Sequence, residues 1–325
     1  MSRILSLLFT LVLVCMTPCL AQFEAATVLG TVRDASGASV VRARVTLRNA
    51  STGLTLTADS SSAGEYVFVN VPIGSYRLDV EVATMRPAQS EPFTLTVGAR
   101  QRVDFDLVTA TAQSTSVDVV ASVGLVEADS SDRGQVVRTA QITELPLNGR
   151  AYSELVYLSA GIVPGPSAGQ SADSREGSFI ANGLRSTFNN FILDGLDNNY
   201  YGTSNQGFSN QSTQLPPDAV AEFRVVTNNM SAEYGRSGGA TVNAAMRSGT
   251  NQIHGSAWEF FRNTDLNAVG FFRPDSGIKP RLNRNQFGVT LGGPVWKNRT
   301  FWFVDYEGFR QVSSTLSFAT LPNTA

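Results

Sequence analysis

Val41-Arg42-Ala43-Arg44-Val45-Thr46-Leu47-Arg48 alternates apolar residues with polar or basic ones at every step. Successive side chains of a strand point to opposite faces, so this octet offers one face to a core and the other to water. The pattern continues outward from it. Tyr76, Leu78, Val80 and Val82 alternate with Arg77, Asp79 and Glu81, and Val103, Phe105 and Leu107 repeat the period. Seven such runs are expected, near 27–33, 41–48, 54–59, 64–70, 75–83, 92–97 and 102–108. The turns between them are carried by Asp34-Ala35-Ser36-Gly37, Ser51-Thr52-Gly53, Ala63-Gly64 and Pro72-Ile73-Gly74. Short strands at this spacing predict a seven-stranded immunoglobulin-like β-sandwich.

Composition narrows the function classes. The chain has 325 residues, 25 Lys+Arg against 27 Asp+Glu, and only two lysines, Lys279 and Lys297. A nucleic-acid surface needs a cationic excess to release counterions from phosphate, so no nucleic-acid partner is expected. His254 is the sole histidine, and Cys15 and Cys19 are the sole cysteines. These cannot supply a His/Cys zinc set, so neither a metal site nor a cofactor is expected. Both cysteines lie in a leader where Arg3 precedes the apolar run Ile4 to Met16, which is too short for an easy membrane span. Residues 1–21 therefore read as a secretory signal peptide cleaved after Ala21, leaving an exported chain without disulfides.

Residues 111–132 are small, polar and free of sustained periodicity, as a linker is. Within them Thr115, Ser116, Val117, Asp118, Val119, Val120 and Ala121 form a β-prone island. Such an island suits a segment that later adds a strand to a partner. The alternative is an edge strand of a neighbouring domain.

Beyond the linker, Leu145-Pro146-Leu147-Asn148-Gly149-Arg150 reads as a turn leading to a short helix with Tyr152, Leu155, Val156 and Leu158 on its apolar face. Phe179 to Gly183 and Asn190 to Gly195 read as strands closing in turns, and Ala219 to Thr227 as a helix-to-strand passage. The region is expected to be a small α/β unit. Gly235-Arg236-Ser237-Gly238-Gly239 fits G-x-S-x-G, but no Asp or Glu lies between Ser237 and His254 and no histidine follows. A nucleophile elbow needs both in that order, so a structural turn is favoured and no catalytic residue is assigned. Asp194-Gly195-Leu196-Asp197-Asn198-Asn199 is oxygen-rich but lacks the spacing and closing glutamate of a calcium loop, so a solvated turn is favoured over a weak cation site.

Several longer segments carry a family resemblance. GTVRDASGASVVRARVTLRNASTG, SSAGEYVFVNVPIGSYRLDV and RVDFDL resemble the carboxypeptidase regulatory-like domain, a prealbumin-like sandwich that is also similar to carbohydrate-binding modules. Peptidase activity is not implied, because one histidine cannot build the zinc site of a carboxypeptidase. LPLNGRAYSELVYLSAGIVPG, FIANGLRSTFNNFILDGLDNN, AVAEFRVVTNNMSAEYGRSGGATVNAAMRSGTNQIHGS and NQFGVTLGGPVWKNRTFWFVDYEGFR resemble the plug and first barrel strands of TonB-dependent outer-membrane receptors of the Oar-like branch. The resemblance implies a mainly β chain: signal peptide 1–21, sandwich 22–110, linker 111–132, plug 133–252 and the start of a transmembrane β-barrel at 253–325. It also implies residence in the bacterial outer membrane with sandwich and plug on the periplasmic side. By position, Thr115 to Ala121 becomes the candidate TonB box, the segment handed to a TonB-type periplasmic energy-coupling protein. The expected function is plug-gated, energised uptake of a solute that these residues do not identify. The alternative is a secreted adhesion or carbohydrate-binding protein acting through the sandwich, although no exposed aromatic platform for a sugar is evident.

Barrel physics supports the last portion independently. Phe287, Val289 and Leu291 alternate with Gln286, Gly288 and Thr290, as an apolar-out, polar-in strand requires. Trp302, Val304 and Tyr306 are assigned to lipid; Phe301, Phe303, Asp305 and Glu307 share the other face, whose carboxylates are assigned to the lumen, although a soluble antiparallel sheet would fit these two strands alone almost as well. Gly292-Gly293-Pro294 with Lys297-Asn298-Arg299 is expected to form the turn between the two strands. A receptor barrel closes about 22 strands. From Ile253 to Ala325 there is room for about four or five of 9 to 11 residues, so this stretch is expected to be the opening of an incomplete barrel.

Overall fold

The computed structural model describes residues 26–109, 119–121, 129–147, 149–165, 179–200, 211–235, 238–268 and 279–314. The leader with Cys15 and Cys19, Thr115 to Asp118, Ser237 and the chain from 315 onward lie outside the described residues.

The sandwich contains β1 (Ala26–Asp34), β2 (Arg44–Asn49), β3 (Thr55–Asp59), β4 (Glu65–Val71), β5 (Gly74–Glu81), β6 (Ala88–Ser90), β7 (Phe93–Leu95), β8 (Arg100–Arg102) and β9 (Phe105–Leu107). In one sheet β1 pairs antiparallel with β4 and parallel with β8 and β9. The other runs β6-β5-β2-β3, with β7 also on β5. The alternating residues meet between the sheets: Ala43, Val45, Leu47, Tyr76, Leu78, Val80, Val103, Phe105 and Leu107 are all buried. Nine strands replace seven runs because β6 lies outside every expected run and the run at 102–108 is split, β8 giving way to β9 at Val103-Asp104. Val41 leaves the pattern and is exposed, since Arg42 takes a left-handed φ of 56° and β2 begins only at Arg44. Gly30 sits opposite Tyr66, whose hydroxyl passes over it to donate to Val103 O at 2.6 Å. A β-carbon on Gly30 would lie 1.8 Å from that carbonyl oxygen, so no other residue fits.

After the sandwich the chain contributes β10 (Val119–Ala121), which pairs parallel with β6 and so extends the second sheet at its edge. The next unit comprises β11 (Arg133–Arg138), α1 (Thr139–Glu144), a 3-10 helix at Tyr152–Leu158, β12 (Ile162–Pro164), β13 (Phe179–Ala181), β14 (Asn190–Leu193), β15 (Leu196–Asp197), β16 (Val220–Asn228) and β17 (Thr241–Met246). Its main sheet has the order β11-β16-β17-β14-β15, with β14 parallel to β17 and the other pairs antiparallel. Tyr152, Leu155 and Val156 pack with Phe179, Phe191, Phe223, Val225 and Val242 into a second core. Leu158, expected on the apolar face, is exposed as the last residue of its helix. Asp194 and Asp197 act as turn acceptors: Met246 N donates to Asp194 at 2.9 Å and Asn199 N to Asp197 at 2.9 Å.

The last unit is an antiparallel sheet of β18 (His254–Arg262), β19 (Leu282–Trp296) and β20 (Thr300–Ser313). Val289, Leu291, Val304 and Tyr306 are exposed on one face, whereas Gln286 and Thr290 are buried on the other. The turn is shorter than expected. Gly292-Gly293-Pro294 lies inside β19, paired with Phe303, Trp302 and Phe301, and only Lys297-Asn298-Arg299 reverses the chain. These glycines serve close approach rather than turning: a β-carbon on Gly293 would meet Ile253 at 3.2 Å. The proline coincides with a register shift between Pro294 and Trp296, where a missing N–H is tolerated.

Candidate functional site

Three strands of the last sheet grip one turn of the unit before it. Gly149 and Arg150 have φ of 106° and 59°. A bulky residue there is held by its surroundings rather than by local preference. The Arg150 side chain is 8% exposed. Its Nη2 donates to the carboxylate of Asp218, which belongs to the 3-10 turn Pro217–Ala219 ahead of β16. Its Nε lies 3.8 Å from Glu307 Oε2 on β20. The guanidinium stacks 4.2 Å from the Phe260 ring centroid and 5.3 Å from that of Trp258, both on β18. From β19, the Gln286 side-chain amide donates to Gly149 O at 3.1 Å.

Register explains why these groups converge. Trp258 faces Gly288, which faces Glu307, and Phe260 faces Gln286, which faces Phe309. Gly288 leaves room for the Trp258 ring to lie across it, since a β-carbon there would be 2.4 Å from the indole. Two adjacent rows of one face thus present a carboxylate, an amide and two rings to a single cation. Charge-assisted bonds and cation–π contact both strengthen when water is excluded. The arrangement can hold or release the preceding unit.

A second contact joins that unit to the sandwich. Val97 N donates to Glu222 Oε1 at 2.5 Å, and Arg224 Nη1 donates to Gly98 O at 3.3 Å. Gly98 has a left-handed φ of 64°, a conformation that glycine adopts without strain. Burial pushes the Glu222 carboxyl above its ordinary 4.5, against the lowering effects of the Val97 N–H and of Arg138. A carboxyl harder to ionise in the folded than in the unfolded chain stabilises fully below pH 4.5, and this contribution is lost as pH rises through the raised folded value. Glu222→Gln keeps an acceptor for Val97 N and removes the charge. The melting temperature of the variant should therefore match the parent near pH 4 and exceed it increasingly toward pH 7. Parallel melting curves across that range would show that the carboxyl is not under this strain.

A third contact brings the sandwich turn at Ser51 to the reversal of the last sheet. Asn251 N donates to Ser51 O at 3.2 Å, and Asn251 Oδ1 accepts from Asn298 N at 2.8 Å.

Of the residues expected to meet a partner, Thr115, Ser116, Val117 and Asp118 lie outside the described residues, and Val119, Val120 and Ala121 form β10 on the sandwich edge. Sequence reasoning assigned Asp305 and Glu307 to the inner face but missed Arg150 and Asp218. The available signal was the pairing of an arginine with Asn-Gly in a turn, which by itself names no distant partner.

Residues 27–108 match the Carboxypeptidase regulatory-like domain, residues 128–242 the TonB-dependent Receptor Plug Domain and residues 245–325 the Outer membrane beta barrel domain. The TonB-dependent transporter Oar of Myxococcus xanthus is 25% identical over 295 residues, covering 87% of this chain. The chain spans about a quarter of that relative's length, 26%. Among solved structures, the outer membrane transporter YddB of Escherichia coli aligns with a TM-score of 0.40 at 14% identity, over 50% of this chain and 24% of that one. The siderophore receptor PirA of Acinetobacter baumannii aligns with 0.36 at 18% identity, over 54% and 24%.

Proposed function

Because the chain carries the plug and outer-membrane barrel domains of a TonB-dependent receptor behind a carboxypeptidase regulatory-like domain, we propose that it gates energised uptake of a solute across the outer membrane. The observation that best supports gating is the seat of Arg150. The plug is fastened to the inner face of the barrel wall by one buried cation shared between Asp218, Glu307 and two rings. A plug fastened by a few polar contacts can occlude the lumen at rest and yield to force, whereas a continuous apolar interface could not be reversed so readily.

In this reading Thr115 to Ala121 is the segment pulled by a TonB-type periplasmic protein, and the linker 111–132 transmits the load to the plug at 133–252. The sandwich at 22–110 stands on the periplasmic side. Transport by the whole receptor requires strands beyond those described here, since open sheet edges are not tolerated in lipid. Excising residues 133–252 from the whole receptor should convert it from a closed to a conducting pore in a planar bilayer. If the excised and intact receptors conduct equally, the plug is not the gate.

A further inference from the structure

The last three residues of the segment assigned to the energy-coupling protein are paired in this structure. β10 lies parallel to β6, with Val119 opposite Ala88, Val120 opposite Gln89 and Ala121 opposite Ser90. β6 has β5 on its other side, so β10 covers what would otherwise be the open edge of the sheet. The chain is tied to the sandwich on both sides of this strand. Before it, Arg86 N donates to Val108 O at 3.0 Å, next to the start of β6. After it, Asp129 lies 3.7 Å from the Arg102 guanidinium on β8. Val119–Ala121 thus pair with the edge of one sheet of the sandwich, and Asp129 contacts the other sheet before β11 begins.

Edge length and polarity suit a reversible contact. β6 is three residues long, set between Pro87 and Pro92, and turns only Ala88 and Ser90 inward. A three-residue pairing forms few ladder hydrogen bonds, and parallel ladders are slightly weaker per residue than antiparallel ones. A partner that offers a longer edge to the same segment by strand addition would outcompete it.

We propose that the β6 edge of the sandwich is the resting dock of Val119–Ala121, and that the energy-coupling protein engages this segment only by displacing it from that edge. This rests on the assignment of Thr115 to Ala121 as the coupling segment. Two consequences follow. The sandwich sets the affinity of the receptor for its energy source, because the apparent affinity scales with the fraction of undocked segment. Force on a segment that is still docked reaches the sandwich before the plug.

The test uses the whole receptor and the purified periplasmic domain of the TonB-type protein. Gln89→Cys with Val120→Cys places cysteines at directly paired positions of strands about 4.8 Å apart, a backbone separation that a disulfide can span, and the only other cysteines of this sequence are Cys15 and Cys19. Oxidation should weaken binding of the domain at least about tenfold, and reduction should restore it. In the unsubstituted receptor, hydrogen exchange at Ala88–Ser90 should accelerate when the domain is added, a readout that does not depend on how the variant folds. A formed cross-link that leaves affinity unchanged, or exchange at Ala88–Ser90 that ignores the domain, overturns the docking proposal. Receptor lacking 115–121 that still binds the domain as tightly as the intact receptor removes the coupling assignment itself, and the proposal falls with it.

Discussion

Arg150→Ala is expected to unseat the plug from the barrel wall. The substitution leaves the Asp218 carboxylate, which is 13% exposed, and that of Glu307, which is 5% exposed, without the cation between them. Removing one partner of a buried ion pair costs about 3–5 kcal/mol, far more than the intact pair contributes net, because an uncompensated charge stays behind. Loss of the stacking over Phe260 and Trp258 adds about 0.5–2 kcal/mol. The plug should therefore become more sensitive to protease, and cells carrying the variant should admit large antibiotics. Arg150→Lys should recover only part of the seat, since an ammonium keeps the charge but lacks the planar fork that reaches Asp218 and Glu307 together. A plug as protease-resistant in Arg150→Ala as in the parent would show that the cluster does not fasten it.

The legibility of the fold in the sequence follows burial. Where one face of a strand is apolar and the other polar, as in β2, β5 and β19, alternation alone gives both the strand and its orientation. β6 escaped because Ala88 and Ser90 are its only inward residues and two prolines flank it, so it carries no periodic signal. Gly292-Gly293-Pro294 looked like a turn because glycine and proline are the strongest turn residues. There the same residues instead allow Ile253 and the Trp302 strand to approach closely.

The plug seat was only half legible. Asp305 and Glu307 stood out as carboxylates on the inner face of an alternating strand. Arg150 did not, because an arginine in an Asn-Gly-Arg turn looks like a solvated loop residue. Its burial is decided by tertiary partners remote in sequence, Asp218 being 68 residues away. Glu222 was hidden for the same reason: in a mostly buried strand its acceptor role depends on the Val97 N–H of another domain, 125 residues distant. Val119–Ala121 is an edge strand of the neighbouring sandwich in this structure, and its proposed role as a transferable strand requires only that the edge release it.

The largest effect on transport is expected from the linker. If load enters at Thr115 to Ala121, replacing those seven residues with a Gly/Ser stretch of equal length preserves reach and flexibility while removing the strand-forming side chains. The barrel, the plug and the Arg150 seat are left untouched, so surface binding of the solute should remain. Energised uptake by cells carrying this replacement is the most direct test of the account. It should fall to the level seen when the inner-membrane proton gradient is collapsed, with solute binding unchanged. Undiminished uptake would contradict a receptor driven through this segment.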